Sequence, residues 1–513
     1  VNSGIRRVGA LMIVLFLALV AQLTYLQVGR STSLANDPRN ARRFLRDISR
    51  DRGPIITADG VIVALSVPSN DEFKHQRVYP PDTARLFSHV VGYQSIQFGS
   101  SGVEAAYSSD LAGRTFTLQA GSLADVFATK QPVGTVVLTL SKVIQQAAAN
   151  ALGFRAGAVI VLDVQTGGVI AAYSTPTYDP NPLVSHDQKK ALAARELLLA
   201  SPGNPLLPRS WAELYPPGST FKTVTASIAQ QNNVDVDKQF PVVDHLILPQ
   251  TNGVPLYNFG KEKCGGSMLD GFIVSCNTTF AQIGFDLGET FATGIQNFGV
   301  QTAPPLLSGS GFDPPIVAST GPQPGTFALN QPKFMQAAIG QNEVAVTPLE
   351  MALVAEAVAS GGTIVQPHVV DCVLDPNDRV VKRVGTHVYK NAIDAKTADT
   401  MRSFMLAVVN DPRGTGTAAQ IPGVQVAGKT GTAENVPGQN PHAWFIAFAP
   451  ADHPRWAVAV LVEHGGKNGP DAEATGGRVA APIAKQMIET LLATPTPASR
   501  CDSSPPSTSS NGR

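Results

Sequence analysis

Apolar residues along the chain first form one block and then settle into short runs. From Val8 to Val28 only Gln22, Thr24 and Gln27 interrupt the block, and no charge does. As a helix it would be about 31 Å long, which spans a bilayer. Arg6 and Arg7 stand before it, so the positive-inside rule predicts a cytoplasmic N-terminus with everything after Arg30 outside. A cleaved signal sequence is the rival expectation. It is disfavoured because the block is long and lacks a small-x-small site at its end, Leu19 lying two places before Ala21.

Beyond the block the runs are short. Asp59-Gly60 between Ile55-Ile56 and Val61 to Leu65 predicts a hairpin. Val136 to Leu140 reads as a strand that leads into an alanine-rich helix, Lys142 to Leu152, and Gly157 to Tyr173 as a core hairpin around a polar, glycine-containing turn. No Gly-x-Gly-x-x-Gly follows, so a nucleotide-binding strand is disfavoured. Thr347-Pro348-Leu349-Glu350 has the form of a capping box and opens a helix that stops at Gly361-Gly362. A helix over Ala395 to Val409, strands at Gly423 to Gly428, Ala443 to Ala449 and Trp456 to Val462, and a helix over Val479 to Leu492 complete an α+β pattern. The tail after Ala493 is rich in Pro, Ser and Thr and predicts disorder.

Composition narrows the function. The 513 residues are 43% hydrophobic, enough for more than one packed domain. Lys plus Arg equals Asp plus Glu at 39 each, so no net field favours nucleic acid. The arginines between the apolar block and Arg52 read as a solvated face or as lipid-headgroup contacts. Cys264, Cys276, Cys372 and Cys501 show no Cys-x-x-Cys spacing, so neither a metal nor a cofactor is expected. On an extracytoplasmic chain Cys264 and Cys276 could pair, and the sequence leaves that open.

Candidate chemistry centres on Tyr215-Pro216-Pro217-Gly218-Ser219-Thr220-Phe221-Lys222. Proline and glycine break the preceding segment, and Phe221, Val224 and Ile228 recur at helical spacing. Ser219 and Lys222 then share a face, where a lysine held neutral can take the serine proton. By itself Ser-x-x-Lys is common. Two further motifs follow in order, Ser275-Cys276-Asn277 at the entry to an apolar helix-like run and Lys429-Thr430-Gly431-Thr432 on a strand. Arg413-Gly414-Thr415-Gly416-Thr417 imitates the last of these but follows a helix and lacks flanking strands, so it is rejected as the site.

The ordered set of three motifs resembles that of serine penicillin-recognising enzymes. Gly157 to Asn181, Tyr215 to Lys222, Gly340 to Ala352 and Val426 to Pro450 resemble the transpeptidase domain of class B penicillin-binding proteins, and Arg52 to Ser66 with Gly102-Val103-Glu104 resembles their pedestal. Within that class, Asp37-Pro38-Arg39-Asn40 and His442 to Pro450 are most similar to the actinobacterial A-type subfamily.

The resemblance implies a transpeptidase fold with a five-stranded antiparallel sheet flanked by helices, an elongated pedestal and one transmembrane helix. The expected divisions are 1–30 for the cytoplasmic tip and anchor, 31–150 for the pedestal, 151–493 for the transpeptidase domain and 494–513 for the tail. It implies peptidoglycan D,D-transpeptidation with release of D-alanine, inhibited by β-lactams, in cell-wall synthesis and division. Ser219 would be acylated, Lys222 would be its base, Ser275 would relay a proton, and Asn277 would bind the donor peptide and fix Lys222. Lys429, Thr430 and Thr432 would hold the terminal carboxylate, Gly431 would let substrate lie on the strand edge, and the Thr432 and Ser219 amides would form the oxyanion hole. The expected partners are donor and acceptor stem peptides, β-lactams, the membrane and a polytopic glycan polymerase, since no glycosyltransferase motif is present. A membrane-anchored β-lactamase and a non-catalytic penicillin sensor are the rivals. No Glu-x-x-Leu-Asn lies between Ser275 and Lys429 to support the first, and a single span with a short cytoplasmic piece suits the second poorly.

Overall fold

In the computed structural model, residues 2–26, 48–115, 133–306, 315–434, 439–465, 475–495 and 499–502 are described. Arg30, Asp37 to Asn40 and the end of the apolar block lie outside them. Helix α1 (Asn2–Thr24) starts earlier than the apolar block and includes Arg6 and Arg7. Its span Gly4–Thr24 is long and apolar enough to cross a membrane, and none of it is buried against other described residues.

The expected hairpin forms from β1 (Ile55–Ile56) and β2 (Ile62–Pro68), which pair antiparallel across the Asp59-Gly60 turn. β3 (His75–Val78) pairs with β2, and β4 (Thr135–Leu138) runs parallel to β1. Arg52 is not solvated as expected. Its Nε donates to Glu104 Oε2 at 2.7 Å, while Arg77 Nε donates to Glu104 Oε1 at 2.6 Å, and all three side chains are buried. The two cations hold the Glu104 carboxyl below its ordinary range against the opposing effect of burial. This triad ties the Arg52 stretch to the Gly102-Val103-Glu104 stretch.

Helix α2 (Lys142–Leu152) begins where Asp59 accepts hydrogen bonds from Ser141 Oγ and the Lys142 amide, both at 3.0 Å. Although it begins before the expected boundary at residue 150 and runs across it, α2 packs with the sheet that follows. That sheet has five strands, all antiparallel, in the order β9-β10-β11-β5-β6. They are β5 (Gly157–Asp163), β6 (Val169–Thr175), β9 (Ala427–Ala433), β10 (His442–Ala449) and β11 (Trp456–Val462). Val159, Val161, Phe445 and Ala447 face one apolar cluster, and Ile160, Leu162, Trp444 and Ile446 face another. Because both faces are covered, these strands read as continuous apolar runs rather than as an alternation.

On the first face lie α2 and the closing helix α8 (Gly476–Ala493). On the second lie α3 (Lys222–Gln231), α4 (Met268–Ile273), α5 (Asn277–Leu287) and α6 (Pro348–Ala359). Thr347 caps α6 by accepting from the Glu350 amide at 3.1 Å. The expected capping box is incomplete, because the Glu350 carboxylate makes no hydrogen bond and is buried, and burial raises its pKa to about 8. Every residue of α6 is buried, so a side chain at this position meets core instead of the helix terminus.

Two strands from the C-terminal half cross to the N-terminal sheet. β7 (Val370–Leu374) pairs with β4 and β8 (Val380–Arg383) pairs with β7, giving the order β8-β7-β4-β1-β2-β3. The expected pedestal therefore shares its sheet with residues from beyond residue 151. Helix α7 (Ala395–Asn410) then leads back toward β9. The tail is ordered where disorder is expected at residues 499–502. Cys501 is bonded to Cys372 of β7, Ser499 donates to Asp371, and Arg383 pairs with Asp502. Residues 496–498 and 503–513 of the predicted disorder lie outside the described residues.

Candidate active site

Ser219 does not open an α-helix. It lies in a 3₁₀ turn, Gly218–Phe221, and α3 begins at Lys222, whose amide donates to the Ser219 carbonyl. Gly218 sets this tighter turn, with a φ of +53° that favours glycine and a position where a Cβ would come within 2.7 Å of the Thr432 carbonyl. The preceding segment is pinned to two neighbours. Tyr215 exchanges backbone hydrogen bonds with Val346, and Trp444 Nε1 donates to the Pro216 carbonyl at 3.0 Å.

Lys222 is fully buried at the start of α3. Its Nζ donates to the Ser275 carbonyl at 2.6 Å and to Asn277 Oδ1 at 2.7 Å, with Ser275 Oγ at 3.4 Å. None of these bonds goes to Ser219. In its neutral form the amine would spend both N–H groups on the two shorter bonds and keep its lone pair free. Burial, and then the nearby charge of Lys429, lower the Lys222 pKa well below the ordinary lysine value.

The second motif sits in the turn between α4 and α5, with Ser275 at a φ of +62° and Asn277 as the first residue of α5. Asn277 Nδ2 donates to the Tyr257 carbonyl at 3.0 Å, which orients its oxygen toward Lys222. The open pairing of the cysteines is resolved: Cys264 and Cys276 form a disulfide that holds this turn to the strand Cys264–Gly266. Asn258 Oδ1 accepts from the Thr278 amide at 2.9 Å just beyond it.

The third motif lies on β9, the edge strand of the five-stranded sheet. Lys429 Nζ donates to Ser275 Oγ at 2.9 Å and lies 5.4 Å from the centroid of the Phe272 ring. Burial lowers its pKa to about 7. The Ser275 hydroxyl thus links the two lysines. Gly431 allows close packing: a Cβ there would lie 2.7 Å from the Pro217 carbonyl and 3.0 Å from Trp444 Cβ, so its small size brings β9 against the Ser219 turn. The Gly476 amide, at the start of α8, donates to Thr432 Oγ1 at 3.4 Å.

Residues left out of the sequence reading also shape the site. Trp444 is paired with Gly431 across the sheet, and His442 with Ala433. The Tyr215 ring meets both aromatic side chains edge-on, and its hydroxyl donates to Glu463 at 2.6 Å, where Arg209 also donates. Strand alternation places Trp444 on the same side as Gly431, but no local signal marks Glu463. Among the described residues no cluster suited to a metal is present.

A buried lysine of lowered pKa beside a serine turn, a second lysine sharing a serine with it, and an edge strand packed against that turn define a serine acyltransferase of the penicillin-recognising type. Residues 157–489 match the penicillin-binding protein transpeptidase domain, and residues 52–137 match the penicillin-binding protein A dimerisation domain. The chain belongs to the penicillin-binding protein transpeptidase family. It is 38% identical over 510 residues to the peptidoglycan D,D-transpeptidase PbpA of Mycolicibacterium smegmatis, covering 96% of this chain and 99% of the relative. The Mycobacterium tuberculosis PbpA is 35% identical over 509 residues, with the same coverage. Among solved structures, the ceftriaxone acyl-enzyme of M. tuberculosis penicillin-binding protein A matches with a TM-score of 0.79 and 33% identity, over 87% of this chain and 100% of that one. The penicillin G acyl-enzyme of the same protein matches with a TM-score of 0.77 and 34% identity, over 86% of this chain and 100% of that one.

Proposed function

We propose that this chain is a peptidoglycan D,D-transpeptidase whose acylated residue is Ser219. The observation that carries the proposal is that Lys222 reaches Ser275 and Asn277 while Lys429 reaches the same Ser275. Ser219 Oγ attacks the carbonyl of the penultimate D-alanine of a stem peptide, and its proton passes to the free lone pair of Lys222. The amides of Ser219 and Thr432 stabilise the oxyanion. Ser275 then relays a proton to the departing D-alanine amine, leaving an acyl-enzyme. The acceptor amine attacks that ester, its proton returns through Lys222, and Ser219 is released. Lys429, Thr430 and Thr432 hold the terminal carboxylate of the donor, and Asn277 fixes Lys222 while facing the donor peptide.

A β-lactam enters the same route because its strained amide and carboxylate present the same groups, so β-lactams are inhibitory ligands. The same reading keeps the division into anchor (1–30), pedestal (31–150), transpeptidase domain (151–493) and tail (494–513). In it α1 is a single-pass anchor with a cytoplasmic N-terminus, the catalytic domain lies outside the membrane, and a polytopic membrane polymerase supplies the glycan strands. The apolar span Gly4–Thr24 and the arginines within α1 support the anchor and its orientation.

Incubating the purified protein with donor and acceptor stem peptides tests the activity. Cross-linked dimer with equimolar D-alanine is expected, and a Ser219→Ala variant yields neither. Rapid turnover of penicillin would make the chain a β-lactamase instead, and stable acylation without cross-linking would make it a sensor.

A further inference from the structure

The segment Arg413-Gly414-Thr415-Gly416-Thr417, rejected as the third motif, lies directly against the real one. Thr415 Oγ1 is 2.6 Å from Thr430 Oγ1. On its other side Arg413 donates to Asp270 at 3.0 Å and to both carboxylate oxygens of Asp411. Asp270 forms the capping box of α4 with Ser267, and α4 leads into the Ser275 turn. The backbone between them is fixed to the end of α7: the Gly416 amide donates to the Val408 carbonyl at 3.0 Å, and the Gly414 amide to the Asp411 carbonyl at 2.8 Å. Residues 411–416 are therefore a strap with one end on the helix before the second motif and the other on the third.

We propose that Thr415 is a positioning residue for recognition of the substrate carboxylate, acting through the hydroxyl of Thr430. This rests on the transpeptidase reading, in which Thr430 helps to hold that carboxylate. A hydroxyl has one proton to donate. When Thr430 spends it on Thr415, none remains for an anion. When Thr415 donates instead, the Thr430 proton points outward and its oxygen is polarised, so the pair acts as a two-step chain, Thr415 to Thr430 to carboxylate. A carboxylate at the strand edge selects the second arrangement. Thr430 is nearly buried, at 5% exposure, so water competes poorly for its hydroxyl and Thr415 is the partner that sets its direction.

The test uses the full chain and two probes, benzylpenicillin and its methyl ester, in which the carboxylate is masked. Second-order acylation rate constants are measured for wild type, Thr415→Val and Thr415→Ser. Thr415→Val is expected to lose about tenfold or more on the free acid and less than about twofold on the ester, while Thr415→Ser stays near wild type on both. An equal loss on both probes would reduce Thr415 to a packing residue, and no loss on either would remove it from the site. If Thr415→Val fails to fold, Thr415→Ala, which adds no bulk, is read in the same way. Failure of wild-type protein to be acylated by either probe would instead overturn the parent reading.

Discussion

Lys222 Nζ and Asn277 Oδ1 lie 2.7 Å apart, and the Tyr257 carbonyl holds the other end of the same carboxamide. The amide oxygen accepts a hydrogen bond from Lys222 without adding charge, so burial and Lys429 keep the amine below the ordinary lysine pKa. Asn277→Asp would place an anion at this point and favour the ammonium. Its acylation by penicillin is expected to require a higher pH than wild type, with the acidic limb of the rate profile moved up by about 1–3 pH units. Lys222→Ala removes the base and is expected to lose about a thousandfold or more in acylation rate at neutral pH. Stopped-flow acylation across pH checks both.

Lys429 trades stability for binding. Its folded pKa of about 7 lies below the ordinary 10.5, so the unfolded chain binds more protons between those values. Stability attributable to this group therefore rises with pH across that window and is lowest below pH 7, where the buried charge is fully present. Lys429→Met is expected to be more stable near neutral pH by roughly 2–4 kcal/mol and to lose the rise on the alkaline side. Its reaction with carboxylate-bearing ligands falls steeply. Denaturant titrations at several pH values, paired with acylation rates, separate the two effects.

The Arg52–Glu104–Arg77 triad is buried, so removing its centre leaves two cations without their anion. Glu104→Gln is expected to cost about 3–5 kcal/mol of stability. In wild type, Glu104 has a folded pKa below its ordinary 4.5. Its contribution is thus complete above the unfolded value and is lost as pH falls through the folded one. The variant should lack that acid-dependent loss, which chemical denaturation from neutral to acidic pH reads directly.

Both disulfides close loops in the unfolded chain, with sequence separations of 12 and 129. The chain-entropy account gives about 3 kcal/mol for the short loop and about 4.7 kcal/mol for the long one. The Cys372→Ser/Cys501→Ser protein is therefore expected to lose more stability than Cys264→Ser/Cys276→Ser. The latter is expected to lose more acylation rate, because Cys276 stands inside the second motif. A thiol count of zero on denatured, unreduced protein checks that all four cysteines are paired.

The sequence by itself determined the membrane-length block, the hairpins at Asp59-Gly60 and after Gly157, the strands that became β10 and β11, and the order of Ser219, Lys222, Ser275, Asn277 and Lys429, whereas the strand expected at Gly423 to Gly428 begins only at Ala427 and carries the Lys429 motif itself. These are local patterns: apolar period, turn chemistry, and residue types at fixed spacing. Tertiary structure alone decided what those groups touch. Helical spacing brings Ser219 and Lys222 to one face, but the partners that hold the Lys222 amine lie in a turn more than fifty residues away. Glu350 has the sequence of a cap and the surroundings of a core. Arg52 looks solvated until Glu104 and Arg77 close around it, and the predicted disordered tail is fastened at Cys501. Thr415 belongs to a rejected look-alike that nevertheless lies against Thr430. Each of these outcomes depends on which distant segments pack together, because burial and long-range partners set the charge state and direction of a polar group, and neither is encoded in local spacing.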